Sequence, residues 1–81
     1  MPDICPIGKT VRSAEDIGAA VREKRKAEGL RQAEAAALCG VGTRFLSELE
    51  NGKEGASLAK TLRVLHGLGL DLILRGRGSA P

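Results

Sequence analysis

A small, mainly α domain of four to five helices, closed by one C-terminal β-strand, is what this sequence predicts. Three observations carry that expectation. Residues 30–53 read LRQAEAAALCGVGTRFLSELENGK, two short helical patterns joined by Gly40-Val41-Gly42. Apolar-periodic runs flank them on both sides and stop at Gly29 and Gly69. After Gly69, the run Leu70-Asp71-Leu72-Ile73-Leu74-Arg75 alternates as a strand does, with Leu70, Leu72 and Leu74 on one face.

Residues 1–12 hold Pro2, Pro6 and Gly8 without a helical period and are expected to be extended or mobile. Ser13 opens the first helix, where Asp16 supplies a carboxylate for a variant capping box at the positive helix end; Gly29 ends it. The second helix has Gln32 near its start, Leu38 and Cys39 at its end, and between them Ala33, Ala35, Ala36 and Ala37, small enough for another helix to cross closely. Gly40 follows where a left-handed residue is needed, since without a Cβ it takes positive φ at little cost, and Val41 tucks under both helices. From Gly42 the third helix turns Phe45, Leu46 and Leu49 inward and leaves Thr43, Arg44, Ser47 and Glu48 outward. Ser57 caps a fourth helix in which Leu58, Thr61, Leu62, Leu65 and Leu68 recur at helical spacing.

The strand over 70–75 has no strong partner elsewhere in the chain, so Leu70, Leu72, Ile73 and Leu74 are expected to pair with the same strand of a second copy as an antiparallel ribbon. The neighbourhood of Val11 could add a shorter pairing; the alternative is that 70–75 extends the fourth helix or packs as a loop. The organisation is thus an N-terminal segment 1–12, a domain 13–69, a dimerisation strand 70–75 and a disordered tail 76–81 rich in Gly and Arg.

With 81 residues and one aromatic, Phe45, the core must be built from Leu, Ile, Val and Ala and is marginal by area alone, a shortfall that oligomerisation relieves. The net charge of +3 suits a polyanion partner. Neither a membrane-spanning run nor the pattern of a signal peptide is present, so a cytoplasmic location is expected. Cys39 reads as a small buried hydrophobe and Cys5 as a free thiol; their spacing, with His66 as the single histidine at a surface or interface, does not suggest a metal site. No nucleophile with a base partner, phosphate-cradling glycine motif or carboxylate pair argues for catalysis, so no enzyme activity and no cofactor are expected.

Two short helices with a glycine turn and a polar outer face have the layout of a helix-turn-helix, which makes double-stranded DNA the first ligand to consider. Thr43, Arg44, Ser47 and Glu48 are assigned to base reading, because the major groove presents donors and acceptors that distinguish all four base-pair orientations. Arg44 suits guanine; Glu48 has three options, accepting from a cytosine amino group, pairing with Arg44 one turn back, or pointing away. Gln32 is expected to brace the backbone and Arg44 rather than read sequence.

Gln32, Ala36, Gly40, Val41, Ser47 and the run Glu50-Asn51-Gly52-Lys53 resemble the signature of the Xre (Cro/C1-type) helix-turn-helix family, and Ile17-Gly18, Val21 and Arg25 fit its first helix. The resemblance implies a lambda-repressor-like domain in which Arg25 and Glu50 form a buried or half-buried structural pair, while Arg22, Lys24 and Lys26 form a wet face. It further places Gln32, Arg31, Gly42 and Lys53 against the DNA backbone. Arg31 and Gly42 depart from the usual hydroxyl caps, so a hydroxyl-to-phosphate contact does not carry over, and arginine, unable to accept from helix amides, forfeits a cap of roughly 1 kcal/mol.

The lead-in Arg12-Ser13, then Ile17-Gly18-x-x-Val21-Arg22, and the closing Leu68-Gly69-Leu70-x-Leu72 are similar to the HipB-type antitoxins of HipA/HipB toxin-antitoxin systems. That implies a homodimeric repressor of its own operon on an inverted-repeat operator, with a HipA-like serine/threonine-kinase toxin as partner and no membrane. A stand-alone Xre-type regulator, or an interaction module that no longer reads DNA, are the alternatives.

Overall fold

Local chemistry bounds each helix. The computed structural model describes residues 10–76, which form α1 (Ala14–Ala27), α2 (Gln32–Cys39), α3 (Thr43–Glu50) and α4 (Leu58–Gly67). Most of the N-terminal segment, including Cys5, and nearly all of the C-terminal tail lie outside the described residues. Ser13 Oγ accepts the Asp16 amide at 3.2 Å and Ser57 Oγ the Lys60 amide at 3.2 Å, each satisfying a helix N–H that has no partner within its helix. The Asp16 carboxylate reaches one residue further back than a capping box does, to the Arg12 amide at 2.9 Å. At Arg31, which cannot accept, the reciprocal half of the box stands alone: Glu34 accepts the Arg31 amide at 2.8 Å, a bond that, with the nearby guanidinium, holds the Glu34 carboxyl below its ordinary range.

All four helices close in the same way. The glycine after each takes positive φ, and the next amide reaches back to a helix carbonyl: Leu30 to Arg25 at 3.1 Å, Val41 to Ala36 at 3.0 Å, Lys53 to Glu48 at 3.0 Å and Leu70 to Leu65 at 2.8 Å. Leu30, Val41 and Leu70 then fold onto the core, whereas Lys53 stays exposed. One closing motif therefore anchors three turns and projects a cation from the fourth.

The core joins Val21 of α1, Ala35, Ala36 and Cys39 of α2, Leu46 and Leu49 of α3, and Val64 and Leu65 of α4 with Leu68. Burial pushes the Cys39 thiol up, so it stays protonated and packs as a hydrophobe. α3 packs on both α1 and α2, and α4 on α2. These crossings are close because glycines sit in them: a Cβ on Gly18 would run into the Leu49 and Glu50 carbonyl oxygens, and one on Gly67 would lie 2.6 Å from Cys39 Sγ.

Several sequence-based expectations are corrected. The helix count, four among the described residues, lies within the expected four to five, and the corrections lie elsewhere. On α4 the inward stripe is Thr61, Val64, Leu65 and Leu68, while Leu58 and Leu62 are exposed, because the helix meets α2 along a face rotated towards Val64. Phe45 packs against the core but is only half-buried, with Lys60 Nζ over its ring at 5.6 Å from the centroid. No strand forms over 70–75: a ladder needs a second strand, and none exists among the described residues. Leu70 belongs instead to the α4 closure, while Leu72, Ile73 and Leu74 are 49%, 79% and 88% exposed. Val11 is also exposed.

Candidate nucleic-acid interface

The inner face of α3 contains a polar element as well as leucines. Arg25 from α1 donates Nε to Glu50 Oε2 at 2.6 Å and Nη2 to Glu50 Oε1 at 3.0 Å, a bidentate pair whose side chains are only 10% and 1% exposed. Arg25 Nη1 also donates to the Leu30 carbonyl at 2.8 Å, and Gln32 Nε2 to Glu50 Oε1 at 3.1 Å. Arg25 and Glu50 together thus tie α1, the turn before α2, the start of α2 and the end of α3. Burial alone would push the Glu50 carboxyl up, but hydrogen bonds from Arg25 and Gln32 and the field of Arg25 outweigh it and hold the group below its ordinary range. The same hydrogen bond raises Arg25. Gln32 therefore braces Glu50 and not Arg44, because its amide sits inside the α2–α3 angle and Arg44 on the far side of α3.

The outer face of α3 carries Thr43 and Arg44, both exposed, and Ser47 and Glu48, both half-buried. The Arg44 side chain is 92% exposed. Gly42, the exposed N-cap of α3, has no side chain to accept from the first helix amides, which are left without a side-chain cap beside Thr43. Lys53 projects from the loop after α3, and Arg31 stands exposed at the start of α2, loosely paired with Glu34 at 3.6 Å. Glu48 bridges two of the cations: Oε2 accepts from Arg44 Nε at 3.3 Å and Oε1 from Lys53 Nζ at 3.2 Å. The Arg44 pairing is one of the three options the sequence leaves open for Glu48; the Lys53 pairing is not among them and arises because the Gly52 turn reverses the chain.

Beside this face, Phe45, Glu48, Lys53, Ser57 and Lys60 line a groove of about 220 Å3 between α3 and the start of α4. Lys60 is an addition to the cations expected there, missed because it belongs to α4. The arrangement offers a protruding helix with donors and acceptors along it and cations at its margins. That can be inserted into a groove and held by phosphates on either side.

Comparison with known proteins agrees with this geometry. The helix-turn-helix domain family matches residues 16–77. A relative in Sinorhizobium fredii (strain NBRC 101917 / NGR234), the uncharacterized HTH-type transcriptional regulator y4mF, is 43% identical over 72 residues, spanning 89% of this chain and 95% of that one. Among solved structures, a chain of the HipA-HipB-O2-O3 complex superposes with a TM-score of 0.78 at 23% identity, covering 86% of this chain and 99% of that one. The restriction-modification controller protein C.AhdI from Aeromonas hydrophila follows the same fold with a TM-score of 0.64 at 29% identity, covering 72% and 84% of the two chains. From α1 through the segment beyond α4, the chain belongs to the Xre-type helix-turn-helix family of DNA-binding transcriptional regulators.

Proposed function

We propose that the chain is a homodimeric, sequence-specific repressor that inserts α3 into the major groove of an inverted-repeat operator. Thr43, Arg44 and Ser47 read base edges, with Glu48 beside them on the same face, while Arg31, Gln32, the uncapped amides after Gly42, and Lys53 position the phosphate backbone. The observation that carries this reading is the polar outer face of α3, set at a defined angle by the buried Arg25–Glu50–Gln32 network beneath it. The second copy is supplied through 70–75: Leu72, Ile73 and Leu74 are exposed immediately after Leu70 is anchored, and pairing with their equivalents would satisfy both their backbone groups and their side chains. The likeness to HipB in complexes with HipA and with an O4 20mer supports a cytoplasmic antitoxin role towards a kinase-like toxin. A stand-alone regulator is the second reading, favoured by the likeness to a controller protein and by the 43% identity to a relative described only as a transcriptional regulator.

The test is enrichment of duplexes from a random pool. The selected sites should be inverted repeats with half-site centres about 10 bp apart or a multiple of that, as two twofold-related helices require. Arg44→Ala should cost roughly 1 to 3 kcal/mol on the selected duplex and relax one base pair, whereas Lys53→Ala should lower affinity and flatten the salt dependence without relaxing any base pair. Deleting 70–75 should give a monomer by sedimentation with weakened operator binding; an unchanged dimer would move the joint elsewhere. Co-purification with the product of an adjacent kinase-like reading frame decides between the antitoxin and the stand-alone regulator.

A further inference from the structure

Glu48 sits among the groups assigned to DNA, yet it carries the charge that phosphate repels. Its two oxygens hold Arg44 at 3.3 Å and Lys53 at 3.2 Å, one cation assigned to a base and the other to the backbone. Both pairs are on the outside of the domain, so water competes for them and each is weak enough to exchange. On a duplex of arbitrary sequence the two cations would leave one anion for another, with little gain. Where a guanine edge meets Arg44 and the matching register brings a phosphate to Lys53, both are repaid at once. Selectivity arises as readily from penalising wrong partners as from rewarding right ones.

Resting on the DNA-reading function above, we propose that Glu48 is a specificity-determining positioning residue that holds Arg44 and Lys53 away from arbitrary DNA and yields them only where base edge and phosphate together replace it. Glu48 is suited to this because the hydrogen bond from Lys53, above all, holds its carboxyl below the ordinary range and keeps it ionised at neutral pH. The groove lined by Glu48, Lys53 and Lys60 gives the released lysine room to swing.

The experiment measures binding of the full chain to a random-sequence duplex and to a duplex enriched by the wild-type protein, each across a salt series. Glu48→Gln keeps the shape and removes the charge; a thermal melt checks that the fold is retained. Affinity for the random duplex should rise about 3-fold or more, from the release of two exposed pairs. Its salt slope should steepen by about 0.9 for each phosphate newly neutralised. The enriched duplex should gain less, so the selectivity ratio falls. Glu54→Gln, which removes an equal charge from the exposed loop that follows α3, should change both duplexes alike. In an Arg44→Ala, Lys53→Ala background the advantage of Glu48→Gln over Glu54→Gln should vanish. A gain that persists in that background, equal gains on both duplexes, or a loss confined to the enriched duplex would each overturn the proposal. Failure of the wild-type chain to bind either duplex would instead remove the DNA-reading function on which it rests.

Discussion

Glu48 and Glu50 lie on one helix two residues apart, and each accepts from an arginine, yet they belong to opposite kinds of structure. Glu50 points inward, is almost fully enclosed, and has two oxygens satisfied by Arg25 and Gln32 at 2.6 to 3.1 Å. Glu48 points outward, is partly open to water, and holds Arg44 and Lys53 at 3.2 to 3.3 Å. In the interior a lost partner strands a charge that water cannot reach, so the contact is kept and sets the angle between helices. At the surface water replaces a lost partner, so the contact can be traded for a ligand. The same chemistry thus acts as a lock on one side of α3 and as an exchangeable contact on the other.

The largest expected effect tests the lock. Arg25→Ala and Glu50→Ala should each cost roughly 3 to 5 kcal/mol, and the double variant less than the sum, because each single change leaves an uncompensated buried charge. Denaturant titrations with a double-mutant cycle measure this; losses of a few tenths would mean that water enters the network. Next comes the crossing beneath it. Gly18→Ala should cost about 1 to 3 kcal/mol in thermal or denaturant melts, since the added methyl meets the carbonyls of Leu49 and Glu50 and α1 must move away from α3.

Acid sharpens the comparison further. The folded-state value of Glu50 lies below its ordinary value, so the unfolded chain takes up the proton first as pH falls. Its contribution is complete above the unfolded value, near 4.3, and is lost progressively as pH drops from there through the folded value. Stability measured between neutral pH and this region should therefore show an acid limb that Glu50→Gln flattens. The smallest effect is expected at the surface: Glu48→Gln should leave the neutral-pH melting temperature within error, in contrast to Glu50→Gln. A comparable loss at both positions would erase the distinction.

Much of the domain was legible without tertiary information because its signals are local. Ser13 and Ser57 announce helix starts through a side-chain oxygen that reaches amides three residues on, and Gly29, Gly40 and Gly69 mark closures because the needed φ is positive. Thr43, Arg44, Ser47 and Glu48 could be placed on one outer face of α3 because Leu46 and Leu49 define the inner one. The remainder depended on neighbours distant in sequence. Leu58 and Leu62 share the helical spacing of Leu65, and only the direction from which α2 arrives turns Val64 inward and leaves them exposed. Gln32 could have served Arg44 or Glu50, and the side of α3 facing α2 decides for Glu50.

By itself, then, the sequence determined where helices begin and end, which motif joins α2 to α3, and which residues α3 presents. These depend on backbone and side-chain interactions within a few positions. Tertiary structure alone decided that Gly18 must lack a Cβ, that Gln32 turns to Glu50, and that the Leu70 side chain packs on the core while Leu72, Ile73 and Leu74 stay exposed. The physical reason is common to all three: each is set by the distance between groups that the chain brings together only when the helices have packed.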